Sequence, residues 1–179
     1  MRVISNILLV AASFFVSSQA TYAGDIVDEV RIGVGGLLES SSSQQSGLLG
    51  SAEIYFAPFD SSYTGIGKIF LEPRVQLGVS GGTDAVDQAY AGLNWHVPIT
   101  ERFFAEFGAG GTVHNGNLDS GDGPRLGCRF LFREHASLGV AVTDKVNVLA
   151  TIDHSSHANL CDGPNDGLTH AGLQLGVKF

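Results

Sequence analysis

Charge is scarce in this chain. Asp, Glu, Lys and Arg together make up 16% of the 179 residues, with 10 basic side chains against 18 acidic ones and a net charge of −8. That balance excludes nucleic acid as a partner, since phosphate binding needs a basic face. There are only five prolines, and the 24 glycines follow no three-residue period, which excludes a collagen-like repeat and a low-complexity linker. An apolar content of 44% excludes a disordered chain. Past Ala23 no stretch carries the period of an amphipathic helix. What is present is one glycine-rich, weakly charged domain whose pattern is that of β-strands.

The first residues read as an export signal. Arg2 precedes an apolar run from Ile7 to Val16, and the small-residue stretch Ser17 to Ala23 follows. Cleavage is expected after Ala23, with Ala20 as the alternative, so residues 1–23 are a signal peptide and 24–179 the mature domain. The apolar run is too short to span a membrane as a helix. Export also places Cys128 and Cys161 in an oxidising compartment.

Period-two alternation recurs through the mature chain and predicts eight strands. They are Ile26–Leu37, Leu48–Phe56, Lys68–Ser80, Gln88–Val97, Arg102–His114, Cys128–Thr143, Val146–Ala158 and Thr169–Phe179. In the third, Ile69, Leu71, Val75, Leu77 and Val79 oppose Lys68, Glu72, Arg74 and Gln76. Each segment has about the length needed to cross a bilayer when tilted.

Tight turns at Ile99–Glu101 and Thr143–Lys145 alternate with longer polar stretches at Glu39–Gly47, Ser80–Asp87, Gly116–Gly127 and Asn159–Leu168. Only the connection Ala57–Gly67 is longer than this scheme asks. The last strand alternates through Leu173, Leu175 and Val177 to a terminal Phe179. An exported soluble sandwich or lipocalin-like barrel would put the apolar face inside. Strand length, even count and the terminal Phe together favour an eight-stranded antiparallel up-and-down outer-membrane β-barrel with periplasmic termini. An eight-stranded barrel is filled by side chains, so Glu29, Arg31, Glu53, Glu72, Arg74, Glu106, Arg133 and Lys178 are expected as paired charges inside, a plug rather than a pore.

One strand breaks the pattern. In Val146–Ala158 the even residues Val146, Val148, Ala150 and Ile152 are apolar and should face lipid, and the same series continues to His154 and Ser156. Leu149 is the apolar exception on the inward series. An ionisable group on the lipid face is costly, least so near the interface. A His beside a Ser hydroxyl is the minimum for cleaving an acyl ester, although such residues near an interface also simply meet headgroups.

His154-Ser155-Ser156-His157-Ala158-Asn159-Leu160, followed by Pro164-Asn165-Asp166-Gly167-Leu168, resembles the last-hairpin signature H-x-S-N-A-G-L … P-N-x-G-[IL] of PagL-type lipid A 3-O-deacylases. Arg102–Gly110 is similar to the family's Pro-Phe-Ile-Glu-Ala-Gly-Ile-Gly strand, and Phe132–Val142 to the strand before its active His. The resemblance implies an outer-membrane serine esterase that removes the 3-position acyl chain of lipid A through a lipid-facing Ser–His–acid triad, without a cofactor or metal. The bacterial outer membrane and lipopolysaccharide are then the partners, with the site toward the outer leaflet, and a homodimer is left open. Ser156 resembles the nucleophile, His154 the general base, and Asn165 the Asn of the P-N-x-G turn that also holds Gly167.

Two positions depart from the family. His157 replaces the Asn associated with oxyanion stabilisation; backbone N–H groups can still serve there, and a lost donor typically costs about 2.7–4 kcal/mol. Thr169 occupies the position of the family's acid, and a hydroxyl cannot stabilise an imidazolium by charge. Glu134 is a candidate substitute, because it falls on the lipid face of Cys128–Thr143, and pairing across Thr143–Lys145 sets it opposite His154 or Ser156. Asp153 is the weaker candidate, pointing inward.

The same hairpin geometry sets Cys128 near Cys161 and predicts a disulfide. A metal set of Asp153, His154, His157, Cys161 and His170 is the rival, but its members point to opposite faces. Asp119, Asp122, Asp162 and Asp166 in the loops are candidate binders of the divalent cations that bridge lipopolysaccharide. The competing reading is a non-catalytic structural or adhesion barrel that kept the hairpin and lost the acid and the Asn.

Overall fold

The computed structural model describes residues 26–38, 47–58, 62–121 and 123–179. The expected signal peptide and Asp122 lie outside the described residues. Eight strands close into one antiparallel barrel: β1 Val27–Leu37, β2 Leu48–Phe56, β3 Arg74–Gly82, β4 Gln88–Pro98, β5 Phe103–His114, β6 Phe130–Ala141, β7 Val146–Ser156 and β8 Leu168–Lys178. Each pairs with the next and β8 closes on β1, from Glu29 opposite Lys178 to Leu37 opposite His170. Closure leaves no free sheet edge, which a bilayer demands.

The third predicted strand is corrected at its start. Ile66–Leu71 form a short helix, α1, and the ladder begins only at Arg74. Pro73 has no N–H for a ladder bond and keeps the residue before it out of the helical region, so the six-residue helix ends at Leu71 with Glu72 as its C-cap. Ile69 and Leu71 therefore do not extend the outer face of β3. Glu72, expected in the lumen, closes α1: its N–H donates to Lys68 O at 3.0 Å and its carboxylate lies 3.5 Å from Lys68 Nζ. The over-long connection after β2 is the segment that holds this helix. Phe70 reaches the outer wall, its ring centroid 6.3 Å from that of Phe107, and its carbonyl accepts the Trp95 indole N–H at 3.0 Å.

Side chains sort by face as the pleat requires. Ile32, Val34, Leu77, Val79, Leu138, Ile152, Leu173 and Leu175 stand exposed on the outside, far more contiguous apolar surface than a water-facing wall carries. Inside, Arg31 makes a bidentate pair with Glu106 (2.7 and 2.9 Å) and a third bond to Glu29 (2.6 Å). Arg74 bonds Glu106, Glu29, Asp28 and Asn94. Tyr55 and Tyr90 both donate to Glu53, and Arg133 pairs with Asp153 at 3.0 Å. Leu149, the inward exception, is fully buried. The ring of Phe104 fills the place a Cβ would take at its cross-strand partner Gly139. Near the long-loop end, inward Leu131 and Leu168 meet Val86 and Leu126 from the loops in a small apolar cluster.

Candidate active site

The site is assembled by three adjacent strands. β7 carries His154 and Ser156; β6 sets Glu134 opposite His154 and Phe132 opposite Ser156. β8 sets Thr169 opposite His154 and Leu168 opposite Ser155. Of the two registers open from sequence, the ladder adopts the one that pairs Glu134 with His154. Alternation then gives adjacent serines opposite fates. Ser155 is fully buried, its hydroxyl 3.4 Å from Gln88 Oε1, whereas Ser156 is partly exposed on the outer face.

The His154 ring leans toward β8. Its Nδ1 lies 2.9 Å from Thr169 Oγ1. A Cβ added to Gly167 would sit 3.0 Å from Cε1 and 3.6 Å from Nε2, and Gly167 itself has φ +70°. Among the described residues no hydrogen bond joins His154 to Glu134 or to Ser156. Glu134 stands exposed on the other side of β7.

His157 turns inward and is 2% exposed. Its Nε2 lies 3.1 Å from Pro164 O, its Nδ1 accepts from the Cys161 N–H at 3.4 Å, and its own N–H donates to Asn165 Oδ1 at 3.1 Å. Asn165 also donates to Asn159 Oδ1 at 3.3 Å. The His157 side chain thus braces the loop after β7 and does not reach the membrane face. A disulfide joins Cys128 to Cys161 with Cα atoms 6.3 Å apart.

The five residues weighed as a metal set do not converge. Asp153 faces Arg133 and His170 in the lumen, His154 is outside, and Cys161 is spent in the disulfide. Ligand atoms of Cys128, His157 and Cys161 lie within 4.8 Å of one another, but the two sulfurs are bonded to each other. Asp166 is tied to Arg125, accepting from its backbone N–H at 2.9 Å and from Nε at 3.1 Å while its own N–H donates to Arg125 O at 3.0 Å. Those two hydrogen bonds to Arg125 hold its carboxyl below the usual aspartate range. The Arg125–Asp166 clamp has no local signal in the chain, and in the sequence Thr169 stands out only as a missing charge.

Fold and site together define an eight-stranded outer-membrane barrel with a Ser and a His on its membrane-facing wall. The profile of the lipid A 3-O-deacylase (PagL) family matches residues 89–178, from β4 through β8, and the chain belongs to that family. Its class is therefore an outer-membrane deacylase of lipid A. Among solved structures, it is similar to the outer membrane enzyme PagL, at 18% identity and a TM-score of 0.64 over 84% of this chain and 99% of that one. A de novo designed transmembrane β-barrel aligns at 9% identity and TM-score 0.56, covering 87% and 96% of the two chains. Neisserial surface protein A aligns at 12% identity and TM-score 0.55, covering 86% and 96%. At these identities the likenesses carry the barrel fold alone. No protein of curated function matches the sequence.

Proposed function

We propose that this protein is a serine esterase that removes the acyl chain at the 3-position of lipid A, acting from the long-loop end of the barrel in the outer leaflet. The observation that carries the reading is the placement of His154 and Ser156 on the outer wall of β7, two residues apart, at that end, in a chain of this family. Lipid A is held in the plane of the membrane, so an ester cleaved there must meet the barrel from outside, and the lumen is closed by its own charge pairs.

In this mechanism Ser156 Oγ attacks the ester carbonyl while its proton passes to His154 Nε2. The tetrahedral intermediate collapses, the bond to the sugar oxygen breaks, and His154 returns the proton to that oxygen. Water, deprotonated by the same ring, then releases the fatty acid from Ser156. Glu134 is the carboxylate aligned with His154 on β6 and favours the imidazolium through space. An exposed pair of this kind contributes about 1 kcal/mol or less.

The test is fatty-acid release from lipopolysaccharide in detergent micelles by the purified protein. Ser156→Ala and His154→Ala are expected to abolish release, and Glu134→Gln to lower it about fivefold. Ser155→Ala, which changes only an inward hydroxyl, leaves it intact. Release that survives Ser156→Ala contradicts the proposal, as does cleavage of an ester other than the one at the 3-position.

A further inference from the structure

We infer that Thr169 is the positioning residue of this reaction, its hydroxyl holding the His154 ring in the orientation that turns Nε2 toward Ser156. The inference rests on the Ser156–His154 reading above and assigns the ring's orientation to a neutral group on β8 rather than to a carboxylate.

The geometry comes from both ends of the ring. Nδ1 is 2.9 Å from Thr169 Oγ1. The other end, Cε1 and Nε2, lies over Gly167, close to where a Cβ would stand. Ser155 pairs with Leu168 in the last rung of the ladder, and Ser156 and Gly167 are the residues that follow that rung on the two sides of the hairpin. The ring therefore lies along the β8 side, with Nδ1 anchored at Thr169 and Nε2 beside Gly167, toward the end of the hairpin that carries the nucleophile. Glu134 is on the opposite neighbouring strand, on the side from which the ring has turned away.

The chemistry of a hydroxyl sets the consequence. Nε2 can accept the serine proton only when Nδ1 carries the ring hydrogen, and Thr169 Oγ1 then accepts it. A hydroxyl also donates, so Thr169 equally supports the other tautomer, in which Nε2 is protonated and cannot act as a base. A carboxylate accepts only. Thr169 thus fixes where the ring points, leaves its tautomer partly free, and adds no charge against the imidazolium.

Fatty-acid release, with kcat and KM measured across pH for the wild type, Thr169→Ser, Thr169→Val and Thr169→Glu, tests this. Thr169→Ser is expected to stay within about threefold of wild type. Thr169→Val, equal in shape but without the hydroxyl, is expected to lose about tenfold in kcat with KM unchanged. Thr169→Glu is expected to raise kcat and to move the acid limb of its pH profile upward, because a carboxylate on Nδ1 favours the protonated ring. Heat-dependent gel mobility of each variant reports that the barrel is closed. Wild-type kcat in a closed Thr169→Val barrel, or a Thr169→Ser as impaired as Thr169→Val, overturns the inference while Ser156→Ala remains dead. Activity that survives Ser156→Ala, or a wild type that releases no fatty acid, overturns the Ser–His reading and this inference with it.

Discussion

Gly167 shows how much one atom matters at this site. Its φ of +70° lies in the left-handed region, and an added Cβ would crowd the Cε1 of His154 at 3.0 Å. Gly167→Ala therefore strains the backbone by about 1–2 kcal/mol and pushes the ring off its seat on β8. Fatty-acid release is expected to fall by about tenfold or more while heat-dependent gel mobility still reports a closed barrel; full activity contradicts the ring placement. The faces of His154, Ser156 and Glu134 were legible in the sequence because a strand's period of two leaves a side chain only two directions. The direction in which the imidazole leans was not. Alternation places Glu134 and Thr169 equally beside His154, and only the rotation of one side chain, with room left by Gly167, selects β8.

The β7–β8 hairpin is tied to the rest of the rim at two points. The disulfide closes a 33-residue separation between Cys128 and Cys161, which in the chain-entropy view stabilises by about 4 kcal/mol. The second tie is the Arg125–Asp166 clamp between the loop before β6 and the loop before β8. Because the Asp166 carboxyl titrates below its usual range, the clamp is fully present above that range and is lost as pH falls through the lowered value. Limited proteolysis of the loop spanning 157–167 is expected to stay constant through the ordinary aspartate range and to rise only below it. Asp166→Asn is expected to cut faster throughout and to show no such step; a step retained in Asp166→Asn contradicts the clamp. The disulfide was legible, since hairpin arithmetic alone brings the cysteines together. The helix α1 was not, because Lys68, Ile69, Leu71 and Glu72 alternate as well as any strand and only Pro73 marks the break.

Across the whole molecule, the barrel separates a charged interior from an apolar exterior, and that separation decides where chemistry can occur. Arg31, Arg74, Glu29 and Glu106 occupy one another in the lumen, so no free path for a lipid runs through it. Glu29, Arg31, Glu53, Arg74, Glu106 and Arg133 were legible as inner charges residue by residue, whereas Glu72 was not, because it caps α1. Their partners were not, because Arg31 and Glu106 are 75 residues apart and meet only when the sheet closes. The wall is then a surface that a membrane lipid can reach, and His154 and Ser156 are on it. The most direct test is mass spectrometry of lipid A from cells producing this protein, compared with cells producing Ser156→Ala at equal outer-membrane level. Loss of one acyl chain, the one esterified at the 3-position, is expected with the wild type, and unmodified lipid A with Ser156→Ala. Unmodified lipid A with both, from protein folded in the outer membrane, contradicts the proposed function.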